Sequence, residues 1–476
     1  MPRRGTTKQT GTRSKSRAPQ GPTPGPFVHH EAALDFLNSR VNFEQIHSHK
    51  VSNQSFKLDR MHALVKELGD PHLAVPVVHV AGSKGKGSAC AMLESCLRSS
   101  GYTTGLFTSP HLVDERERVC INGVMVGQDQ FDDALSKCKD ASIAIADTHG
   151  HATYFELLTA LAFVVFAQEA VDMVILETGL GGRLDCTNVA SPIVVGLTEI
   201  QLEHTSVLGD TLELIAAEKA GIMKQGVPAV SVPQDDAVLE VFKKQAESIG
   251  CELSVLGDEL LYSCRFQSTI SKGPHSKVCV GQGAGCFEHM SVPLMGEHQG
   301  ANCGLALAII LKLRECGFDL PERQVIAGLD RTSRKGRLEL INERPRVYID
   351  GAHTPESVRE TLKGIAQQVQ FDSLVVVFGC SSDKRIDGML EELTTRADKV
   401  VFTQASTNAR AADAQELGKR FTELSGKSCE SYRSPIEAIQ SAGKSLVTND
   451  VLLILGSFYL AGEVKALFEA KKKNPS

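Results

Sequence analysis

The chain has 476 residues, and at about 150 residues per domain this length predicts two or three domains. Its 42% hydrophobic and 23% charged residues are ordinary for a globular protein, and its longest apolar stretch, residues 157–167, is too short for a membrane span. A net charge of −6 argues against a general nucleic-acid binder. Thirteen scattered cysteines without a CxxC pair argue against a disulfide framework or a zinc ribbon, and favour a reducing compartment.

The first 30 residues differ in charge from the rest of the chain. They contain six Lys or Arg and no acid, so the remainder carries −12. They are rich in Thr, Ser, Gly and Pro, a composition that predicts a disordered basic leader over residues 1–30. The leader lacks the apolar core of a secretory signal but fits an organellar presequence. Mitochondrial targeting and plain disorder in a cytoplasmic protein both stay open.

From residue 31 onward, short apolar runs alternate with helical stretches, which is typical of βαβ units around a mostly parallel sheet. A first series of strands is predicted at residues 75–80, 104–107, 173–176, 193–197 and 227–232. A second series is predicted at residues 347–349, 374–378, 400–403 and 451–455. We therefore expect two α/β domains, residues 31–330 and 331–476, with a hinge near residues 330–336.

The connection between the two series has a different pattern. Residues 251–298 contain short strand-like pieces, 261–266 and 277–280, between glycines, and residues 304–316 are predicted to form a helix. In the second series, most strands run into a turn or a small-residue segment. In open α/β sheets this carboxyl edge is where ligands bind.

A glycine-rich loop joins the first predicted strand to a helix predicted over residues 89–99. Strand, loop and helix in this order allow backbone N–H groups and a helix N-terminus to hold phosphates. Lys86 would place its ammonium on the β- and γ-phosphates, and Gly87 stands where a Ser or Thr normally binds magnesium. The candidate nucleotide-binding residues of this loop are Gly82, Ser83, Lys84, Gly85, Lys86, Gly87 and Ser88.

Since the magnesium-binding hydroxyl is displaced, another oxygen ligand is needed. The strand predicted at residues 173–176 runs directly into Glu177. A carboxylate at the end of a buried strand beside a phosphate loop suits Mg²⁺, which prefers oxygen ligands. The alternative is an ordinary surface acid at the end of a strand.

A series of motifs in this chain resembles the folylpolyglutamate synthases and dihydrofolate synthases, the folate branch of the Mur-type ligases. The resemblance extends over residues 31–467. It rests on the loop 82–88 and, in the same order, on residues 108–112, 116–118, 121–123, 177–188, 203–205, 208–211, 215–222, 298 with 302, 336–339 and 350–353. It implies an α/β fold, with a P-loop-containing parallel-sheet N-terminal domain and a smaller Rossmann-like α/β C-terminal domain.

The resemblance also implies an ATP-dependent carboxylate–amine ligase. In this family the pteroate carboxylate attacks the γ-phosphate of ATP, and the amine of L-glutamate then attacks the acyl phosphate. Residues 153–156 and 182–188 resemble members that handle dihydropteroate, so a dihydrofolate synthase is favoured. A folylpolyglutamate synthase that extends tetrahydrofolate, or a bifunctional enzyme, is the nearest alternative. A P-loop ATPase or nucleotide-sensing module is an alternative of another class, and the family suggests a monomer.

Metal and nucleotide roles follow by resemblance. Ser109 and Glu177 would hold one Mg²⁺, and His204 and a carbamylated Lys219 would hold a second, with Glu177 bridging and a monovalent cation nearby. Without the family context, His204 would be interpreted as a loop histidine and Lys219 as a solvated charge. The remaining ATP contacts implied are Asn302 at adenine, Arg337 at the phosphates, and Asp350 and His353 at ribose and phosphate.

A pterin pocket is implied at four residues, Thr153, Phe155, Asp185 and Cys186. Phe155 can stack on an aromatic ring, and Asp185 can accept hydrogen bonds from the N–H groups of a pterin. Residues 382–384, after a strand of the second series, resemble a family turn near the glutamate site.

Overall fold

The computed structural model describes residues 25–46, 57–269, 273–281 and 285–473. Its helices are α1 His30–Asn38, α2 Leu58–Glu67, α3 Lys86–Ser99, α4 Gln128–Ala144, α5 Ala146–His149, α6 Tyr154–Gln168, α7 Thr205–Leu208, α8 Leu212–Ala220, α9 Asp236–Ile249, α10 Gln299–Glu315, α11 Glu322–Asp330, α12 Pro355–Gln368, α13 Ile386–Arg396, α14 Ala414–Ser425, α15 Pro435–Lys444 and α16 Phe458–Lys473.

The strands are β1 Val77–Ala81, β2 Thr104–Phe107, β3 Val119–Ile121, β4 Val124–Met125, β5 Met173–Glu177, β6 Val194–Leu197, β7 Ala229–Ser231, β8 Leu253–Val255, β9 Tyr262–Thr269, β10 Gly273–Val280, β11 Phe287–Ser291, β12 Glu339–Glu343, β13 Arg346–Ile349, β14 Leu374–Phe378, β15 Lys399–Phe402, β16 Glu430–Ser431 and β17 Val451–Leu455. They include the two predicted series and six strands that were not predicted, namely β3, β4, β8, β11, β12 and β16.

The first sheet has eight strands in the order β4-β3-β2-β5-β1-β6-β7-β8. Strands β2, β5, β1, β6, β7 and β8 are parallel, whereas β3 and β4 add antiparallel at one edge. All residues of β1 are buried, because β5 and β6 flank it and helices cover both faces. Val80 pairs with Glu177, so the carboxyl end of β5 lies beside the loop that follows β1.

Two helices begin earlier than the sequence indicated, and both shifts concern the site. Helix α3 begins at Lys86, because Gly85 takes a left-handed conformation with φ +90° and ends the loop there. The N–H groups of its first turn, from Lys86 onward, are the ones a helix cannot pair internally. Helix α10 begins at Gln299 and not at residue 304, which places Asn302 in its first turn.

The second sheet has six strands in the order β12-β13-β17-β14-β15-β16, of which only β12 is antiparallel to its neighbour. The chain passes from the first sheet to the second between the end of α11 and the start of β12, where the hinge was expected. The segment in between the two predicted series forms a three-stranded antiparallel sheet, β11-β10-β9, although only two strand-like pieces were predicted there.

Side-chain caps fix the start of helices that face the site. At the start of α6, the hydroxyl oxygen of Thr153 accepts from the backbone N–H of Glu156, and the carboxylate of Glu156 accepts from the backbone N–H of Thr153. Helix α6 contains the longest apolar stretch and is buried along most of its length, which makes it a core helix. Within the described parts of the chain, none of the helices combines the length and the apolar character that crossing a membrane demands.

Residues 1–24 of the predicted leader lie outside the described residues. Its last part contacts α4: the N–H of Gly25 donates to Asp140 Oδ1 at 3.0 Å, and Lys139 Nζ lies 4.4 Å from the centre of the Phe27 ring. All thirteen cysteines are free thiols, as their scatter along the sequence predicted.

Candidate active site

A cavity of about 320 Å³ opens at the carboxyl ends of β1, β2 and β5, between the two sheets. The loop after β1 and the ends of β2 and β5 form one side of it, and the second α/β unit supplies the other. Residues that approach from the second unit include Arg337, His353, Lys384, Arg410 and Tyr459. The site is therefore composite, and neither unit contains all of it.

The phosphate loop is compact, and two of its glycines have no room for a side chain. A Cβ at Gly82 would lie 1.8 Å from Thr198 Oγ1, and a Cβ at Gly85 would lie 2.0 Å from Asn302 Oδ1. Lys86 Nζ donates to the carbonyl of Gly82 at 2.8 Å. Of the predicted loop residues, Ser83, Lys84, Gly85, Lys86 and Gly87 line this cavity, Ser88 lines a smaller neighbouring cavity, and Gly82 lines neither.

Glu177 and Ser109 meet beside this loop, as the resemblance implied. Glu177 is the last residue of β5, is 4% exposed, and accepts from the Ser109 N–H at 3.1 Å. Burial raises the pKa of Glu177, and the nearby Lys86 opposes this shift. A Cβ at Gly87 would lie 3.4 Å from Glu177 Oε2 and 3.5 Å from Arg337 Nη2, so the first turn of α3 lies between these two side chains.

These groups fit a magnesium ion. A buried carboxylate that lacks a cationic hydrogen-bond partner is costly, and a divalent cation would offset that cost. Glu177 and the hydroxyl of Ser109 are hard oxygen ligands, the type that Mg²⁺ prefers.

Lys219 lies on the other side of the phosphate loop. It is 1% exposed, and its Nζ donates to the carbonyl of Gly82 at 2.7 Å and to Glu203 Oε1 at 3.0 Å. Burial lowers the pKa of Lys219 to about 8. Burial alone would raise the pKa of Glu203, but Lys219 and Lys86 outweigh it and lower that pKa well below its usual range. Glu203 also lines the cavity, although no role was predicted for it beside His204.

His204 has a left-handed backbone conformation with φ +48° and lines the cavity. With Lys219 unmodified, the second metal site is not assembled. Nζ of Lys219 is a donor in an ion pair, and in the described ranges no three His, Cys, Asp or Glu side chains converge as a metal cluster.

The four candidate pterin residues line the same cavity as the phosphate loop. The ring of Phe155 packs so closely on Gly179 that a Cβ there would lie 2.4 Å from it, and its centre lies 5.9 Å from that of Phe107. Thr153 Oγ1 donates to Glu156 Oε2 at 2.9 Å, and Arg60 Nε donates to the same oxygen at 2.8 Å. This side of the cavity presents the aromatic ring of Phe155 beside polar side chains that are hydrogen-bonded to one another.

Asp185 has a different environment from the one expected. Its Oδ2 accepts from the N–H groups of Gly179 and Leu180, and its Oδ1 accepts from the N–H and hydroxyl of Thr187. Four donors occupy the four acceptor positions of a carboxylate. In this structure Asp185 therefore organises the turn after β5, and one of these bonds must open before it can accept from a pterin.

Arg337, Asp350 and His353 line the smaller neighbouring cavity of about 120 Å³, together with Gln299 of α10. Asn302 is buried and lines neither cavity. The Arg337 guanidinium lies 4.8 Å from the centre of the Phe458 ring and faces both cavities. Asp350 already accepts from the N–H groups of Leu338 and Ala352, and His353 Nδ1 donates to the carbonyl of Gly351. Asp350 therefore shapes the turn that presents His353.

Two family models match the chain. Residues 80–310 match the Mur ligase middle domain, and residues 336–458 match the Mur ligase, glutamate ligase domain. A protein of Bacillus subtilis named dihydrofolate synthase/folylpolyglutamate synthase is 34% identical over 411 residues, covering 86% of this chain and 94% of that protein. This chain belongs to the dihydrofolate synthase/folylpolyglutamate synthase family of Mur ligases.

Further relatives agree with this assignment. The Arabidopsis thaliana folylpolyglutamate synthase is 34% identical over 72% of this chain and 60% of its own length. A solved structure of E. coli FolC in complex with DHPP and ADP has a TM-score of 0.80 and 28% identity, covering 94% of this chain and 100% of that one. The predicted Mur-ligase-like α/β fold is confirmed, and the enzyme is an ATP-dependent ligase of folate and glutamate. The names of the relatives do not separate dihydrofolate synthesis from polyglutamate extension.

Proposed function

We propose that this enzyme joins L-glutamate to dihydropteroate through an acyl phosphate, giving dihydrofolate, ADP and phosphate. One observation carries the proposal: the cavity that holds the phosphate loop also holds Thr153, Phe155, Asp185 and Cys186. A pterin ring stacked on Phe155 would extend its benzoate carboxylate toward Lys86 and Glu177. The reacting carboxylate and the γ-phosphate would then meet in one enclosed space, as a bimolecular reaction of two anions requires.

The side chains of this enzyme supply the positive charge that lets one anion approach another. Lys86 reaches from α3 and Arg337 reaches from the second unit toward Gly87, so the phosphates would be held between the two units. Mg²⁺ at Glu177 and Ser109 would neutralise further charge on the phosphates when bound. Enclosure by both units would keep water from the acyl phosphate.

Lys219 is proposed to be carbamylated in the active enzyme. Carbamylation needs a neutral amine, and the buried Lys219, with its pKa lowered to about 8, supplies one far more readily than an ordinary lysine. The modified group would be an anionic oxygen donor, which the second Mg²⁺ site implied with His204 and Glu177 requires. It would also break the ion pair with Glu203, which would keep Lys84 at 4.0 Å and the nearby positive charge of Lys86.

The incoming glutamate is proposed to bind from the second unit, next to Lys384. This lysine follows β14, lines the cavity, and lies in the turn 382–384 that resembles the glutamate-site turn of the family. Burial lowers its pKa, and Asp383 opposes the shift. A cation here matches the two carboxylates of the amino acid, whose amine must reach the acyl carbon.

One assay tests the assignment directly. Purified enzyme receives ATP, Mg²⁺ and radiolabelled glutamate, with dihydropteroate or tetrahydrofolate offered separately. Dihydropteroate should support incorporation and yield dihydrofolate. Incorporation with tetrahydrofolate alone would overturn the first-glutamate assignment in favour of polyglutamate extension. Incorporation with both substrates would identify a bifunctional enzyme.

The acyl phosphate has its own test. If dihydropteroate carries ¹⁸O in its carboxylate, one labelled oxygen should appear in the released phosphate, because that oxygen bridges carbon and phosphorus in the intermediate. ATP hydrolysis should be nearly absent until both dihydropteroate and glutamate are present. Hydrolysis that is independent of both would indicate an ATPase or a nucleotide-sensing module.

A further inference from the structure

An ion pair between the buried Arg118 and the partly exposed Glu44 connects two walls of the cavity. Arg118 ends the 3₁₀ helix Glu115–Arg118 and is 1% exposed. Its Nη1 donates to Glu44 Oε1 at 2.8 Å, and its Nη2 donates to Glu44 Oε2 at 2.7 Å. Glu44 belongs to the segment 41–46, of which Phe43, Glu44 and Ile46 line the cavity.

The same guanidinium makes a third directed bond to the loop that carries the metal-binding serine. Arg118 Nε donates to His111 Nδ1 at 3.0 Å, two residues after Ser109. The guanidinium carbon also lies 5.6 Å from the centre of the Tyr154 ring, next to Phe155 in α6. All three partners of Arg118 therefore either line the cavity or are close in sequence to residues that do.

General stability does not explain this arrangement well. A buried ion pair recovers its desolvation cost only with good geometry, and an apolar group of the same size often stabilises a fold as much. A planar guanidinium with several fixed donors does have one special property, since it sets the distance and angle between the groups that it bridges. The ion pair of Arg98 with Glu94, at 2.8 Å, offers a contrast, because neither residue lines the cavity.

We propose that Arg118 is a positioning residue that acts through Glu44 and His111 to set the spacing between the 41–46 wall and the Ser109 loop. Arg118 does not itself line the cavity. It fixes the distance between the segment 41–46, on the side proposed to bind the folate, and Ser109, on the side proposed to bind the phosphates. The inference rests on the proposed folate–glutamate ligation and holds for whichever folate is the acceptor.

The test compares two variants. Arg118→Lys keeps the positive charge but loses the planar guanidinium with its several donors, and Glu44→Gln keeps the side-chain shape but loses the negative charge. Arg98→Lys is the matched control on the remote ion pair. A displacement of about 1 Å costs up to about a hundredfold in rate. We expect Arg118→Lys to raise KM for the folate about tenfold or more and to lower kcat, while the Kd for ADP changes less than about threefold. Arg98→Lys should leave both kinetic constants within about twofold.

A double-variant cycle separates positioning from separate effects on stability. If Arg118 acts through Glu44, Arg118→Lys combined with Glu44→Gln should have nearly the same folate KM as Arg118→Lys alone. The proposal would be overturned if the increases in folate KM of the two single variants multiplied in the double variant. It would also be overturned if a well-folded Arg118→Lys kept the folate KM of the unaltered enzyme. Thermal melting in the presence of ADP checks folding. If Arg118→Lys does not fold, Glu44→Gln alone decides, and it must raise the folate KM.

The outcome can be told apart from failure of the proposed function. The folate used is the one that the unaltered enzyme turns over. If the unaltered enzyme turns over neither dihydropteroate nor tetrahydrofolate, the ligation proposal fails. Calorimetric binding of dihydropteroate in the presence of ADP then tests Arg118 by itself, and equal affinity in the enzyme and Arg118→Lys refutes the positioning role.

Discussion

The two ends of the cavity are built from different chemistry. The phosphate end concentrates charges of both signs, at the partly buried Lys86 and the buried Glu177 and Lys219. The pterin end presents apolar groups such as Phe43, Phe155 and Leu184, and its buried carboxylates, Glu156 and Asp185, already accept hydrogen bonds from protein donors. Buried charges depend strongly on their partners, because the low dielectric amplifies both attraction and the cost of an unpaired group. Apolar contacts are graded, since each adds in proportion to the area it covers. We therefore expect the phosphate end to be intolerant of substitution and the pterin end to respond in small steps.

The sharpest way to break this contrast is at Glu177. Glu177→Gln keeps the shape and removes the charge, so it should lower kcat/KM about a thousandfold or more by removing the carboxylate proposed to bind Mg²⁺. Because burial raises the pKa of Glu177, the charged form is disfavoured in the fold. The variant should therefore be at least as stable as the parent in thermal melting. Glu115→Gln is the matched control, since burial also raises the pKa of Glu115 but this residue does not line the cavity. Near-normal turnover by Glu177→Gln would refute the proposal that this carboxylate binds Mg²⁺.

Lys219 should follow closely. Lys219→Ala should lower turnover about a hundredfold to a thousandfold while leaving the fold intact, because it removes both the proposed carbamate and the partner of Glu203. Steady-state kinetics with circular dichroism checks both halves of the prediction. Lys224→Ala, a change on a lysine that does not line the cavity, should have little effect. A Lys219→Ala variant that keeps most of its activity would refute the carbamate role.

The pterin end should respond less. Phe155→Leu keeps apolar volume but removes the ring, so KM for the folate should rise about tenfold with a smaller change in kcat, because stacking on a heteroaromatic ring is worth about 1–3 kcal/mol. Separate titrations of folate and ATP measure the split. The KM for ATP should stay within about twofold. Equal rises in both KM values would mean that Phe155 supports the fold of the site and does not stack on the substrate.

The sequence predicted the two ends unequally well, for a physical reason. The phosphate loop is one short segment with its own strand and helix. That strand was predicted at residues 75–80 and is observed at Val77–Ala81, and the helix begins at Lys86, within the predicted loop. Ser109 and Glu177 also meet as expected, because neighbouring parallel strands end at the same edge. Glu203 gained its importance only from the position of Lys219, which lies on a helix sixteen residues later.

The pterin end depends on contacts that no short segment contains. Arg60 pairs with Glu156 across 96 residues, and Arg118 pairs with Glu44 across 74 residues. Asp185 lines the cavity, but nothing in the sequence indicated that four protein donors already occupy its carboxylate. Side-chain hydrogen bonds of this kind are decided by the fold around them and have no periodic signature.

The pH dependence of carbamate formation on Lys219 tests the phosphate end with a smaller expected effect. The lowered pKa of about 8 means that the neutral amine rises from about a tenth at pH 7 to about half at pH 8, and saturates above that. At fixed dissolved ¹³CO₂, the initial rate of carbamate formation, followed by ¹³C NMR, should therefore rise about fivefold from pH 7 to pH 8 and then level off. Lys219→Arg is the control and should show no such signal. A rate that keeps rising tenfold per pH unit beyond pH 9 would indicate an ordinary lysine.

Cys186 should show the smallest effect and so gives the most sensitive measure of the contrast. Burial raises the pKa of its thiol well above the usual value, so at neutral pH it contributes only as a small uncharged group on the cavity wall. Cys186→Ala removes one such group, worth about 0.8 kcal/mol by its size, and should raise the folate KM about fourfold with kcat unchanged. Steady-state kinetics on Cys186→Ala beside Cys264→Ala, a thiol outside the cavity, measures it. A loss of a hundredfold would show that the pterin end shares the intolerance of the phosphate end, and the distinction between them would fail.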